Sequence, residues 1–236
     1  VNRTRPSLAV SRTKRPSAWG EALEAARANL IPGLALQAFA LALVLAYYLH
    51  PPAREALDAV AGLKQRAGYL YSLVSTAVFG GLIPFVWLRL HPATRDFTPP
   101  SHGLFLLGFW AFKGVEVDFF YRAQGWIFGT DPGFATVTPK ILVDQLVYNP
   151  FYAVPLGILV WHWKETGFSW AAMRRMDLAA FLRANFPKAL LATWTVWIPA
   201  VALIYSLPAA LQIPLFNIVL CFYCLLFATL TRKAAD

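Results

Sequence analysis

The chain has 236 residues, 58% of them hydrophobic and only 14% charged, with a formal net charge of +9. Soluble domains carry about 25% charged residues, and the apolar residues here gather into long runs almost free of charge, so a soluble globular enzyme or binding module is not expected. The cations lie between those runs and in the N-terminal stretch, where they set orientation and meet anionic headgroups, so membrane lipids rather than nucleic acid are the expected partners.

Residues 1–18 are basic, rich in Arg, Ser and Thr, and free of acid. They read as a disordered tail ahead of a single transmembrane helical domain over 19–233. A mitochondrial presequence is the alternative. The chain opens on valine, and its only methionines are Met173 and Met176. A literally translated alternative start codon accounts for both facts and points to a bacterial inner (cell) membrane, with the mitochondrial inner membrane as the alternative.

Six hydrophobic segments follow in order: Ile31–Leu49, Tyr69–Leu90, Leu104–Phe128, Ile141–Trp163, Ala189–Leu207 and Ile213–Leu230. Runs of about 18 or more apolar residues match a hydrocarbon core of about 30 Å. A lipid-exposed backbone must satisfy its own hydrogen bonds, and these runs lack the alternation of a barrel. The expected fold is therefore all-α, a polytopic transmembrane bundle of about six segments. The last two, parted only by the stretch from Pro208 to Pro214, read as a tight hairpin or as one broken element. Two further stretches, Pro51–Arg66 and Ser169–Arg183, read as amphipathic helices in the interface or as loops with a helical turn.

With the N-terminus inside, fifteen Lys and Arg fall on inner regions, and only Arg54, Lys64, Arg66 and Lys140 fall on outer ones. The positive-inside rule then places both termini in the cytoplasm or, in the mitochondrial alternative, the matrix. Trp87, Trp126, Trp161 and Trp163 fall near segment ends, where aromatic belts form. Cys221 and Cys224 stand one helical turn apart in an apolar run and read as core residues, because redox or metal chemistry needs a polar, accessible setting.

The third segment carries Lys113, Glu116, Asp118 and Arg122. Each would cost at least about 2.5–3.5 kcal/mol facing lipid at the bilayer centre, so each must face protein, water or a partner. Spacing supplies partners: Lys113 with Glu116 at i,i+3 and Asp118 with Arg122 at i,i+4, on opposite sides of the helix. The fourth segment opens with Lys140, Asp144 and Gln145 and reaches Asn149-Pro150. A hairpin of the third and fourth segments, turning near Gly133–Ala135, brings Asp144 to the depth of Arg122 and Asn149 near Asp118. The expected result is a polar cluster of Asp118, Tyr121, Arg122, Asp144 and Gln145. It reads either as glue between helices or as the lining of a solute path. Pro84, Pro150, Pro155, Pro199, Pro208 and Pro214 lie within or beside the segments, and each leaves a carbonyl without its helical donor.

From Gly114, the stretch Gly-Val-Glu-Val-Asp-Phe-Phe-Tyr121 resembles the Gly-Pro-x-x-His-x-Trp-Tyr motif of the Mpv-seventeen and peroxisomal-membrane-protein-twenty-two family. Lys140, Asp144-Gln145 and Pro150 match that family's Lys-x-x-x-Asp-Gln and the proline after it. The stretch from Asn185 through Pro187 to Leu190, leading to Trp194 and Trp197, is similar to its aromatic-Pro-x-x-Leu and Trp-x-x-Trp-Pro signature. Asn217, nine residues after Pro208, stands where the family has an Asn in its final helix, and Tyr223 stands at its subsequent Trp. Val115, Asp118 and Phe120 replace the motif's Pro, His and Trp, Pro199 comes one position late, and no Gly-Asp-x-x-x-Gln motif lies in the N-terminal third.

That resemblance, over roughly Leu104 to Lys233, implies a small multi-span protein of the kind proposed to act as a channel or carrier for small solutes. The expected function is thus a channel or facilitative carrier for small polar or anionic metabolites, a small molecule or ion being the passing partner. Lys113 and Arg122 would attract anions, Glu116, Asp118 and Asp144 would balance them, and Trp194 and Trp197 would line or gate the path if they faced inward. The alternatives are a non-transporting scaffold and a lipid-handling protein. An enzyme is not expected: His50, His91, His102 and His162 are scattered, and no Gly-x-Ser-x-Gly or His-Glu-x-x-His motif occurs. No phosphate-binding loop and no cofactor are expected. The small size favours a homo-oligomer.

Overall fold

The computed structural model describes residues 20, 30–96 and 98–233. The expected N-terminal tail lies outside them. Every regular element described is helical, and all six hydrophobic segments lie on helices.

α1 (Leu30–Leu49) ends where His50 precedes Pro51, because the residue before proline is pushed out of the helical region. His50 is extended and caps α2 (Pro51–Ala67) by accepting from Ala53 N, with proline at the first helical position. The two axes are bent by 102°. Arg54 holds this corner, donating from Nε to the Tyr47 carbonyl at 3.0 Å and from a terminal nitrogen to the Tyr48 carbonyl at 2.9 Å. It thus satisfies two of the carbonyls that the end of α1 leaves open. The amphipathic stretch expected after the first segment is therefore a true helix, and it stops at Gly68, whose φ of +57° suits glycine.

α3 (Tyr69–Leu90) widens to π-helical geometry over Ala77–Leu82, just before Pro84. After one turn at Pro92–Arg95 (α4), α5 (Pro100–Phe128) runs 29 residues, about 44 Å at 1.5 Å per residue. α6 spans residues 134–165 as Phe134–Val143, a π-helical stretch Asp144–Ala153, and Val154–Glu165. The Ser169–Arg183 stretch divides. Trp170–Arg175 forms α7, and Asp177 then caps the long α8 (Leu178–Tyr205) by accepting from Ala180 N. α9 is Ala209–Lys233. It folds back on α8 as the tight hairpin, with the Trp197 ring 5.3 Å from Phe216 and 5.6 Å from Tyr223.

Two seams organise the bundle. α3 and α5 pack at backbone distance along Ser72, Thr76, Gly80 and Gly81, with Gly103 and Gly114 on the opposite face. A Cβ on Gly114 would overlap the Ser72 carbonyl oxygen and come within 2.6 Å of Thr76 Oγ1. Small residues four apart allow that approach, as in helix pairs within lipid. The apolar core lies instead between α1, α8 and α9, around Ala40, Val196, Ala200, Ile204, Leu211, Ile213 and Val219. Large apolar side chains also cover the outside: Leu70, Leu104, Phe112, Trp126 and Phe151 are among those exposed. Such a surface is compatible with a bilayer and rare on a soluble monomer.

The expected number of crossings is not reproduced by the helices' own length and apolarity. Among the described residues, α3 and α8 are long and apolar enough to cross a membrane, and the bent pair α1–α2 makes up to three. For two of the others the reason lies in the sequence. α5 carries four ionisable residues in its middle, and α6 carries Lys140 and Asp144 beside Gln145 and Asn149.

Candidate functional site

α5 is the centre of the polar groups, and its two charge pairs project to opposite flanks as the spacing predicts. On the flank toward α2 and α3, Asp118 Oδ2 accepts from Lys64 Nζ at 2.6 Å and from Ser72 Oγ at 2.7 Å, while Oδ1 accepts from Arg122 Nε at 3.0 Å. Lys64 and Asp118 are both buried, whereas the Arg122 side chain is 40% exposed and lies over the Tyr69 ring at 4.6 Å. Two cations and a hydroxyl thus surround one carboxylate. Nearby, Asn217 of α9 accepts from Thr76 Oγ1 at 2.7 Å and donates to Ser75 Oγ at 2.8 Å, tying the last helix to α3.

Toward α6, Lys113 pairs with Glu116, and both bond the Tyr148 hydroxyl, Lys113 donating to it at 2.8 Å. The Tyr148 ring stacks on Phe120 with centroids 4.3 Å apart. These contacts carry the antiparallel register expected of the third and fourth segments.

A third network joins α5, α6 and α8. Asp144 Oδ2 accepts from the Tyr205 hydroxyl at 2.7 Å, Oδ1 accepts from Gln145 Nε2 at 2.8 Å, and Gln124 Nε2 donates to the Tyr205 oxygen at 2.6 Å. Asn149 donates to Gln145 Oε1 at 3.0 Å. The backbone explains the next contact. In the π-helical stretch each N–H reaches five residues back, and Pro150 has none to give to the Gln145 carbonyl. The Trp194 indole of α8 donates to that carbonyl instead, at 2.8 Å. Tyr121 is buried against this network, its ring 5.0 Å from Tyr205 and 6.3 Å from Phe216.

The single cluster expected of Asp118, Tyr121, Arg122, Asp144 and Gln145 is therefore divided. Lys64 draws Asp118 and Arg122 to one flank, while Tyr205 holds Asp144 and Gln145 on the other. Lys64, counted among the outer-region cations on the expected amphipathic stretch, occupies a buried face of α2 together with Ala61. An unbalanced second cation beside Asp118 could have been sought on that amphipathic helix. Tyr205, Gln124, Ser72 and Tyr148 carried no signal in the sequence, since single hydroxyls and amides in apolar helices have no spacing rule. Trp194 and Trp197 are engaged in helix packing, through the Gln145 carbonyl and the α9 aromatics.

Among the described residues no group of three His, Cys, Asp or Glu is placed to hold a metal ion. An apolar cleft between α1, α2 and α9, lined by Leu43, Leu57, Leu211, Pro214 and Ile218, lies apart from the charged networks. Compared with protein-family profiles, curated proteins and solved structures, the chain matches none.

Proposed function

We propose that the chain is an integral membrane protein, a polytopic bundle of about six segments with both termini cytoplasmic, that passes small polar or anionic solutes. In this reading it sits in a bacterial inner membrane as a divergent relative of the Mpv-seventeen and peroxisomal-membrane-protein-twenty-two family. The helices too polar to cross alone, α5 and α6, turn apolar side chains such as Phe112, Trp126 and Phe151 outward and keep Lys113, Asp118, Lys140 and Asp144 buried. The observation that carries the proposal is the set of ionisable groups held inside the bundle. Among the described residues Lys64, Lys113 and Lys140 are buried together with Asp118 and Asp144, while Glu116 is part-buried beside Lys113 and Arg122 is exposed. Intramembrane ionisable groups mark solute pathways more often than they serve packing alone.

A second reading is favoured by a specific observation. Asp118 and Asn217 have their hydrogen-bonding groups filled by neighbouring helices, as in a non-transporting scaffold. Flux through proteoliposomes separates the two. The expected result is release of small anions well above that of protein-free liposomes, with Asp144→Asn, shown to be folded and inserted, altering the anion-over-cation preference. Wild-type flux equal to that of empty liposomes would overturn transport and leave the scaffold.

A further inference from the structure

The interior cations of the described residues divide by partner. Lys64 and Arg122 share Asp118, and Lys113 has Glu116. Lys140 is 2% exposed and is given neither an ion pair nor a hydrogen bond; its ammonium has only the face of the Tyr205 ring, at 5.7 Å. A buried ammonium without an anion costs several kcal/mol, and one aromatic face returns only about 0.5–2 kcal/mol of it.

The missing partner is conspicuous because Asp144 stands four residues on, the spacing at which a helical Lys and Asp ordinarily meet. The two form no ion pair: Asp144, where the π-helical stretch begins, is bonded instead by neutral donors, Tyr205 and Gln145. Tyr205 cannot turn its oxygen to Lys140 either, since its hydroxyl is held between Asp144 and Gln124. The ammonium is not sealed in. Among the described residues, the enclosed side-chain polar atoms lacking a partner are Gln37 Oε1, Trp110 Nε1, Gln124 Oε1 and Trp163 Nε1. Lys140 Nζ is not one of them, so its tip reaches accessible space.

We infer that Lys140, held against Tyr205, is a binding point for a single oxyanion, a phosphate or carboxylate group donated by a free solute or by a lipid headgroup. The anion completes the ion pair that the fold withholds from Asp144. This site rests on the proposed passage of small anions and names their first contact within the bundle.

The test is protection of Lys140 from acylation by an N-hydroxysuccinimide ester, located by mass spectrometry on the full chain in non-ionic detergent. Inorganic phosphate is titrated against chloride at equal ionic strength, and phosphatidylglycerol is added in a separate arm. We expect Lys140 labelling, normalised to the other lysines, to slow about fivefold or more, the scale of a charge-assisted hydrogen bond. Protection by phosphate identifies a free anion, and protection by the lipid alone identifies a headgroup. No protection in either arm overturns the site.

In proteoliposomes, Lys140→Gln is expected to raise the phosphate concentration for half-maximal flux about tenfold, with Lys140→Arg close to wild type. Protection without any wild-type flux would sink transport and leave the site. Unprotected Lys140, together with wild-type phosphate dependence in Lys140→Gln, would sink the site and leave transport.

Discussion

On the flank of α5 that faces α2 and α3, Asp118 is met by two cations and a hydroxyl across a seam of small residues. On the flank that faces α6 and α8, Asp144 is held by a phenol and an amide, and Lys140 lies over an aromatic ring. The first flank completes its charges by opposite charge at close range. The second adds neutral dipoles to its Lys113–Glu116 pair and leaves Lys140 with no anion in contact. Close packing explains the difference: Gly114 and Ser72 bring the backbones of α3 and α5 near enough for Lys64 to reach across from α2. The bulky Tyr148, Trp194 and Tyr205 hold α6 and α8 farther from α5 and insert hydroxyl and indole groups between them. A charge-completed seam is expected to be rigid, and a dipole-completed one to accommodate an added ion.

The largest expected effect comes from Asp118→Ala, which leaves Lys64 buried without its carboxylate and should cost about 3–5 kcal/mol. Thermal unfolding in detergent would report it. Adding Lys64→Met should restore most of the loss, and failure to do so would break the account of this flank as an ion pair in balance. Next is Gly114→Ala, expected to cost about 1–3 kcal/mol because the new Cβ forces α3 and α5 apart. An unchanged melting temperature would mean that the close approach at Ser72 is not what holds the seam. Smallest is Trp194→Phe, which keeps the ring but returns the Gln145 carbonyl to an unfilled state at about 1 kcal/mol. Its loss should be smaller when Pro150→Ala restores a backbone donor, a comparison that ties the indole to the proline.

The elements were legible in the sequence to different depths. Lys113 with Glu116, and Asp118 with Arg122, follow from spacing on one helix, and the structure forms both pairs. The register of α5 against α6 follows from a short turn between two apolar runs. Two features could not be read in full. The partnership of Lys64 with Asp118 joins residues 54 apart in sequence, and the amphipathic pattern of Pro51–Arg66 does not show that Lys64 turns inward. The number of crossings was legible only in part: all six apolar runs lie on helices, but charges in α5 and α6 leave two or three helices among the described residues that would cross by their own composition.

Composition alone determined that this chain is helical and rich in apolar surface, because runs of such length without alternation have no other way to satisfy their backbone. Local spacing determined which charges on one helix could neutralise each other. Only the tertiary structure decided which charges did so between helices, since that depends on which backbones approach closely, where Pro150 opens a carbonyl, and which side chain of α8 reaches Asp144.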